Sequence, residues 1–332
     1  MPEPMKCALI GLGGIAQSYV QAFDYLPEAK LIAVVDTRNE AAETMGERLS
    51  VPAYTDYQEL LTKGPEFDIA IVCTPPNTHE RIAIDCLQAG KNVLCEKPFT
   101  LTSESAKRMV DVARKANRLI TMASKFRYVE DIIKAKSLLA SNILGDVILF
   151  ENAFTSKVDM SRRWNSLKEI SGGGVLIDNG THSVDIARYF LGPLNDVHSI
   201  EGKRVQGLEV EDTVRLFCHS RAGVLVSVDL SWSINKDQEN YINIYGSLGT
   251  MQIGWKNSRY RLHSGQDWVK FGNGYNKVQA FRDIILNFSR AIHGVEPLRI
   301  THEDALASVR TIETAYMSLE STRWDRVSDS KF

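Results

Sequence analysis

Between Lys6 and Ala16 the chain reads K-C-A-L-I-G-L-G-G-I-A, an apolar run that passes straight into Gly-x-Gly-x-x-Ala. Few folds accommodate that order of events: a buried strand, a tight turn and a helix packed closely on the strand. Gly11 permits the turn, Gly13 lets the backbone approach a pyrophosphate, and Ala16 is small enough for close helix packing. Through Gly14 and Ile15 the chain then enters a helix whose free N–H groups and positive dipole end face an anion. The next apolar run, Leu31–Val35, ends on Asp36. Strand, helix, strand and acidic residue together make the unit of about 30 residues that a dinucleotide site requires. Asp36 would hydrogen-bond the adenosine ribose and repel a 2′-phosphate, so NAD is favoured. Arg38 leaves NADP open, because a neighbouring arginine can accept that phosphate.

A chain of 332 residues is long enough for two domains. Over the first ~120 residues short apolar runs alternate with amphipathic helices, the form of a doubly wound parallel α/β sheet. Strands are expected at 7–10, 31–35, 67–73, 92–95 and 119–123, with helices at 15–26, 39–49, 78–88 and 103–117. Past Ala123 the pattern changes to one helix at 129–140, β-rich sequence from Val147 to about Phe271, a single helix within it at 181–190, and helices at 277–293 and 302–321. Alternating polarity in 213–218, 224–230 and 241–245 marks strands with one buried face. The expected organisation is a dinucleotide-binding domain over 1–123 and an α+β domain over 124–332, with the active site between them.

Composition narrows the partners. The 39 basic and 41 acidic residues leave a net charge of −2, without the basic surplus of a nucleic-acid-binding protein. No apolar run approaches the ~18 residues of a membrane span, and a cytoplasmic location is expected. Cys7, Cys73, Cys86, Cys95 and Cys218 contain no C-x-x-C and read as reduced packing residues. No histidine lies in a ligand-spaced cluster, so no metal site is expected.

In a doubly wound sheet the ligand lies outside the carboxyl ends of the strands. The turns holding Thr74, Pro75, Asn77 and His79 and then Glu96 and Lys97 therefore face the cofactor. Pro98 biases Lys97 toward extended backbone, and its ammonium can donate to the oxygen whose charge changes during hydride transfer. Asp178 and His182 are four apart, so on one helix a carboxylate and an imidazole address the same substrate hydroxyl. Substrate contacts are expected from Lys97, Arg127 and Tyr128, from Arg163 and Trp164 in the 156–168 loop, and from Asp178 and His182.

Thr74-Pro-Pro-Asn-Thr-His79, Glu96-Lys97-Pro98 and the run Gly172-Gly-Gly-Val-Leu-Ile-Asp178-Asn-Gly-Thr-His182-Ser-Val-Asp185 resemble, in order and spacing, the Gfo/Idh/MocA oxidoreductases. The likeness extends to Gly246-Ser-Leu-Gly249-Thr and Pro297-Leu-Arg-Ile-Thr301-His-Glu-Asp304-Ala. It implies a Rossmann domain followed by a large, mostly antiparallel open-faced sheet used in forming a homodimer or homotetramer. It also implies a nicotinamide cofactor and oxidation of a secondary alcohol, or reduction of the ketone, of a sugar or cyclitol. Lys97, Asp178 and His182 would be the catalytic set. Two other activities share that outline: a glycosidase that transiently reduces bound NAD, and a non-catalytic dinucleotide-binding regulator.

Overall fold

The computed structural model describes residues 3–328. Its first unit contains the chain up to Tyr128 together with Lys277–Leu306, and its second Val129–Asn276 with the chain from Ala307 onward.

In the first unit, strands β1 (Met5–Ile10), β2 (Ala29–Val35), β3 (Ala53–Tyr54), β4 (Ile69–Val72), β5 (Asn92–Glu96) and β6 (Ile120–Ala123) form one sheet in the order β3-β2-β1-β4-β5-β6. Every pairing is parallel. Helices α1 (Ala16–Phe23), α2 (Asn39–Leu49), α3 (Tyr57–Lys63), α4 (His79–Gln88) and α5 (Ser103–Ala116) connect the strands. All four residues of β4 and of β6 are buried, as befits strands covered on both faces. Strand order reverses at β1, whose neighbours are β2 and β4, so the carboxyl ends of β1 and β4 flank the switch point where such sheets bind ligands. Helix α3 had no counterpart in the expected pattern, although Asp56 and Glu59 are a legible start signal. The Asp56 side chain accepts the Gln58 N–H at 2.9 Å.

The second unit starts with α6 (Glu130–Ala140) and β7 (Val147–Thr155), followed by the single turn α7 (Lys168–Ser171) and the long α8 (Val175–Leu191). Then come β8 (Leu194–Glu201), β9 (Thr213–Ser220), β10 (Leu225–Ser231), β11 (Asn240–Gly246), β12 (Gly249–Gly254), β13 (Ser258–Leu262) and β14 (Val269–Gly272). With β15 (Asp325–Arg326) these strands form a nine-stranded sheet, β14-β13-β12-β11-β7-β10-β9-β8-β15, antiparallel except where β10 lies parallel to β7. Along β9 buried and more exposed residues alternate, leaving one face for the core. Helix α8 packs on β7, β9 and β10.

Helices α9 (Lys277–Ile292) and α10 (His302–Ser321) complete the chain's main elements. The first unit is discontinuous, running to Tyr128 and resuming at Lys277–Leu306. Segment 277–306 returns to it through contacts no local pattern announces. The Thr121 hydroxyl donates to the Ile300 carbonyl at 2.7 Å, Gln279 donates to the Tyr128 carbonyl at 2.9 Å, and the Phe281 ring meets Tyr19 edge-on at 4.6 Å.

In the second unit, one buried carboxylate ties α6 to the sheet margin. Asp131 accepts from the Ser258 hydroxyl at 2.5 Å and from the backbone N–H groups of Asn273 and Gly274 at 3.1 and 2.7 Å. Asp131→Ala strands those donors, each worth about 1–3 kcal/mol when buried without a partner. A loss of at least ~2 kcal/mol in urea unfolding is the expected outcome, and a midpoint equal to wild type would contradict it.

Candidate active site

At the end of β1, Gly11 adopts φ +92°, and a Cβ there would lie 2.8 Å from the backbone of Cys73 and Thr74. The turn after β1 thus rests directly on the turn after β4, and only glycine allows it. Gly13 and Gly14 are exposed, with nothing of the protein within 4 Å of an added Cβ. Ile15 precedes α1 without any side-chain cap, and the first turn of α1 carries no acidic residue. The Ala16 and Ser18 N–H groups donate to the Gly13 and Ile15 carbonyls at 3.1 and 2.9 Å, and no side chain covers the helix start over its glycine surface, an arrangement that fits a pyrophosphate.

Asp36, at the carboxyl end of β2, is buried and accepts four hydrogen bonds. The Leu12 N–H donates at 2.8 Å, the Arg38 N–H at 2.9 Å, and the Arg38 guanidinium from Nε and Nη2 at 2.9 and 3.0 Å. Burial alone would push this carboxyl up, but the Arg38 contacts and the Leu12 amide more than offset it and hold Asp36 below its ordinary value. Arg38 is thereby paired in a bidentate fork with the residue that would meet the ribose.

The turns after β4 and β5 are joined by His79. Its Nε2 lies 2.8 Å from the Thr74 carbonyl, and its Nδ1 3.0 and 3.3 Å from the carbonyls of Pro98 and Phe99. The ring is fully buried, and burial lowers its pKa. His79 was expected among the residues that touch the cofactor; instead its two nitrogens are spent on the turns themselves. Thr74 and Pro75 are half-buried and Asn77 is exposed. Glu96 ends β5 in a buried position, where the Tyr19 hydroxyl donates to it at 2.9 Å and the Lys97 N–H at 3.1 Å. Burial raises its pKa against the opposing pull of Lys97, Tyr19 and Lys125. Lys97 itself is half-buried, and its bond to Pro98 is cis.

Arg127 and Tyr128 depart from the expectation of substrate contacts. Both are buried in the first unit, Arg127 donating to Asp304 at 3.0 Å and Tyr128 to Asn287 at 3.0 Å, with the Arg299 guanidinium over the Tyr128 ring. They hold segment 277–306 in place. The five thiols are buried, and burial raises the pKa of each, Cys86 to about 12, which suits packing and not nucleophilic chemistry.

In the second unit α8 begins at Val175, six residues before the expected start at Thr181 (181 − 175), so Asp178 and His182 both lie in its first two turns. Four residues apart, they share one face. Asp178 is half-buried; His182 is buried with its ring edge-on to Phe154 at 6.3 Å. The helix is fixed close by, for the Ser183 hydroxyl donates to Asn152 of β7 at 2.5 Å, and Asn152 donates to the Tyr241 carbonyl at 2.9 Å. Arg163 and Trp164 are exposed in the loop before α7.

Sequence reading passed over Glu211. Its Oε1 accepts from the N–H groups of Gly174 and Leu176 at 2.9 and 3.0 Å and from the Tyr316 hydroxyl at 2.7 Å, and the Val175 N–H donates to the Glu211 carbonyl at 2.9 Å. Gly173 and Gly174 serve this packing, since a Cβ on either would collide with Tyr316 or with the Glu211 backbone. The glycine run lets α8 begin against a distant strand connection.

A neutral imidazole carries one N–H, so His79→Ala would leave a buried carbonyl in one of the two turns without its donor and remove the ring between them, a cost of about 1–3 kcal/mol. Chemical denaturation should show a midpoint shift of that size, and an unchanged midpoint would show that His79 does not brace the two turns.

Among the described residues no helix is long and apolar enough to cross a membrane. Residues 5–124 match the model of the oxidoreductase family with an NAD-binding Rossmann fold, and residues 132–252 match the GFO/IDH/MocA C-terminal domain. The chain is 25% identical to myo-inositol 2-dehydrogenase of Thermotoga maritima, over 96% of this chain and 97% of that one. It is 30% identical to D-glucoside 3-dehydrogenase of Escherichia coli over 57% of this chain and 55% of the other. A solved levoglucosan dehydrogenase in complex with NADH and levoglucosan superposes with a TM-score of 0.90 at 20% identity, covering 98% of this chain and all of that one, and shares the fold. With a glycine turn shaped for a pyrophosphate, an acidic residue ending β2 and both domain models matched in order, the chain belongs to the Gfo/Idh/MocA family of NAD-binding oxidoreductases.

Proposed function

We propose that the protein is a cytoplasmic dehydrogenase that oxidises a secondary hydroxyl of a sugar or cyclitol, or reduces the corresponding ketone, and that it works as a homodimer or homotetramer. The observation that carries this reading is the placement of Asp178 and His182 on one face of the first two turns of α8, in a family of NAD-binding oxidoreductases. Relatives named for inositol and glucoside oxidation support the substrate class.

The cofactor would be held by the Gly11–Ala16 turn and the α1 N-terminus at its pyrophosphate and by Asp36 at its ribose, with Arg38 fixing the Asp36 carboxylate. Thr74, Pro75, Asn77, Glu96 and Lys97 would border it along the β4 and β5 turns. NAD, when bound, supplies the hydride acceptor at nicotinamide C4. His182 takes the proton of the substrate hydroxyl, a role for which an imidazole is suited near neutral pH. Asp178 holds the hydroxyl and the imidazole in register. Lys97 donates to the carbinol oxygen as its charge changes. Arg163 and Trp164 would contact the substrate through the guanidinium fork and a flat aromatic face.

A screen of NADH formation with cyclitols, free sugars, sugar phosphates and nucleotide sugars tests the reading. Lys97→Ala and His182→Ala should each reduce kcat by about 100-fold or more on whichever substrate turns over. Tight NAD binding with no net NADH on any compound would instead favour transient oxidation in a glycosidase, or a regulator without turnover. Gel filtration giving a strict monomer would overturn the oligomer.

Asp36→Ala removes the ribose acceptor and releases Arg38 from its fork. Titration calorimetry should show NAD affinity falling about tenfold or more, with NADP binding improved relative to NAD. An unchanged ratio of the two affinities would show that Asp36 does not select the cofactor.

A further inference from the structure

We infer that Glu211 is a positioning residue for the reaction: by capping the start of α8 it fixes the direction in which Asp178 and His182 are presented. The inference rests on the assignment of those two residues to the chemistry. Glu211 lies on the connection between β8 and β9, is itself buried, and spends a single carboxylate oxygen on the Gly174 and Leu176 amides and the Tyr316 hydroxyl. Its backbone carbonyl takes the Val175 N–H as well, so three successive amides at the head of the helix are held by one distant residue. Helix α8 has no side-chain cap of its own, its N-cap being Gly174. An uncapped first turn frays, and Asp178 stands at the end of that turn, with His182 one turn further. Downstream, Ser183 is anchored to Asn152, so the segment carrying both residues is pinned from each side. Tyr316, on α10, closes the clamp, and Gly173 is small because the Tyr316 hydroxyl occupies the space of a side chain.

The test follows His182 directly, in the NAD-loaded protein labelled with ¹³C at histidine Cε1, with the signal assigned by its loss in His182→Ala. In Glu211→Ala the His182 ring resonance and titration midpoint should move, the midpoint by about half a pH unit or more. Amide exchange over 175–182 should quicken at least about tenfold. Glu211→Gln keeps the acceptor oxygen and removes the charge, and it should restore the wild-type midpoint and protection. A role in stability alone would lower the melting temperature of Glu211→Ala and leave the folded protein's His182 signal in place, which would overturn the inference. A midpoint displaced equally in Glu211→Gln would also overturn it, because charge and not position would then be responsible. Should Glu211→Ala fail to fold, Tyr316→Phe removes one of the three donors, and an unmoved His182 signal there would count the same way. Failure of the positioning role is separable from failure of the functional reading. If His182→Ala retains turnover, the assignment of His182 falls, whereas if it loses turnover while Glu211→Ala leaves both signal and kcat unchanged, only the positioning role falls.

Discussion

A helix begins with backbone N–H groups that its own turns cannot satisfy, and the two units of this chain resolve that constraint in opposite ways. At α1 no side chain caps the start and no carboxylate sits in the first turn, while Gly13 and Gly14 keep the surface in front of it bare. That uncovered start suits an anion from outside the chain, and in a family that binds NAD the pyrophosphate is the group it fits. At α8 the same donors are met from inside, by Glu211 reaching from the β8–β9 connection. One helix start is left open for a ligand; the other is closed so that the side chains following it point in a fixed direction.

Fixed direction recurs through the first unit. Gly11 rests on the Cys73–Thr74 backbone, and His79 bridges Thr74 to the Pro98 and Phe99 carbonyls. Glu96 is held by the Tyr19 hydroxyl from α1, so the turns after β1, β4 and β5 are each braced by a neighbour. A lysine carried on such a turn has little backbone freedom, and its side chain starts from a set direction. The Asp36–Arg38 fork applies the same economy at the end of β2, where the guanidinium is already bound to a carboxylate.

Much of this was legible in the residues. The Gly-x-Gly-x-x-Ala turn, Asp36 and the alternation of apolar runs with helices are local patterns, and they mark a parallel sheet because each strand and helix carries its own periodicity. Asp178 and His182 stood out for the same reason, through their spacing of four. The misreadings share a different cause. Arg127 and Tyr128 look like polar residues at a domain junction, yet each is consumed by a partner in 277–306. The start of α8 was placed late because its glycines and lack of a capping side chain signal a loop, and the residue that stabilises the true start lies more than thirty positions downstream.

By itself the sequence determined the dinucleotide-binding unit, the change to a largely antiparallel sheet and the residue types available for hydride chemistry, since these depend on periodicity, turn chemistry and short spacings. Tertiary structure alone decided that segment 277–306 belongs to the first unit, that His79, Arg127 and Tyr128 brace the fold, and that α8 begins six residues early under Glu211. Those outcomes turn on which distant donor reaches a buried acceptor. Hydrogen bonds between residues far apart in the chain leave no period in the sequence, yet inside the protein an unmet polar group is costly enough to decide where a helix starts and which arginine can meet a ligand.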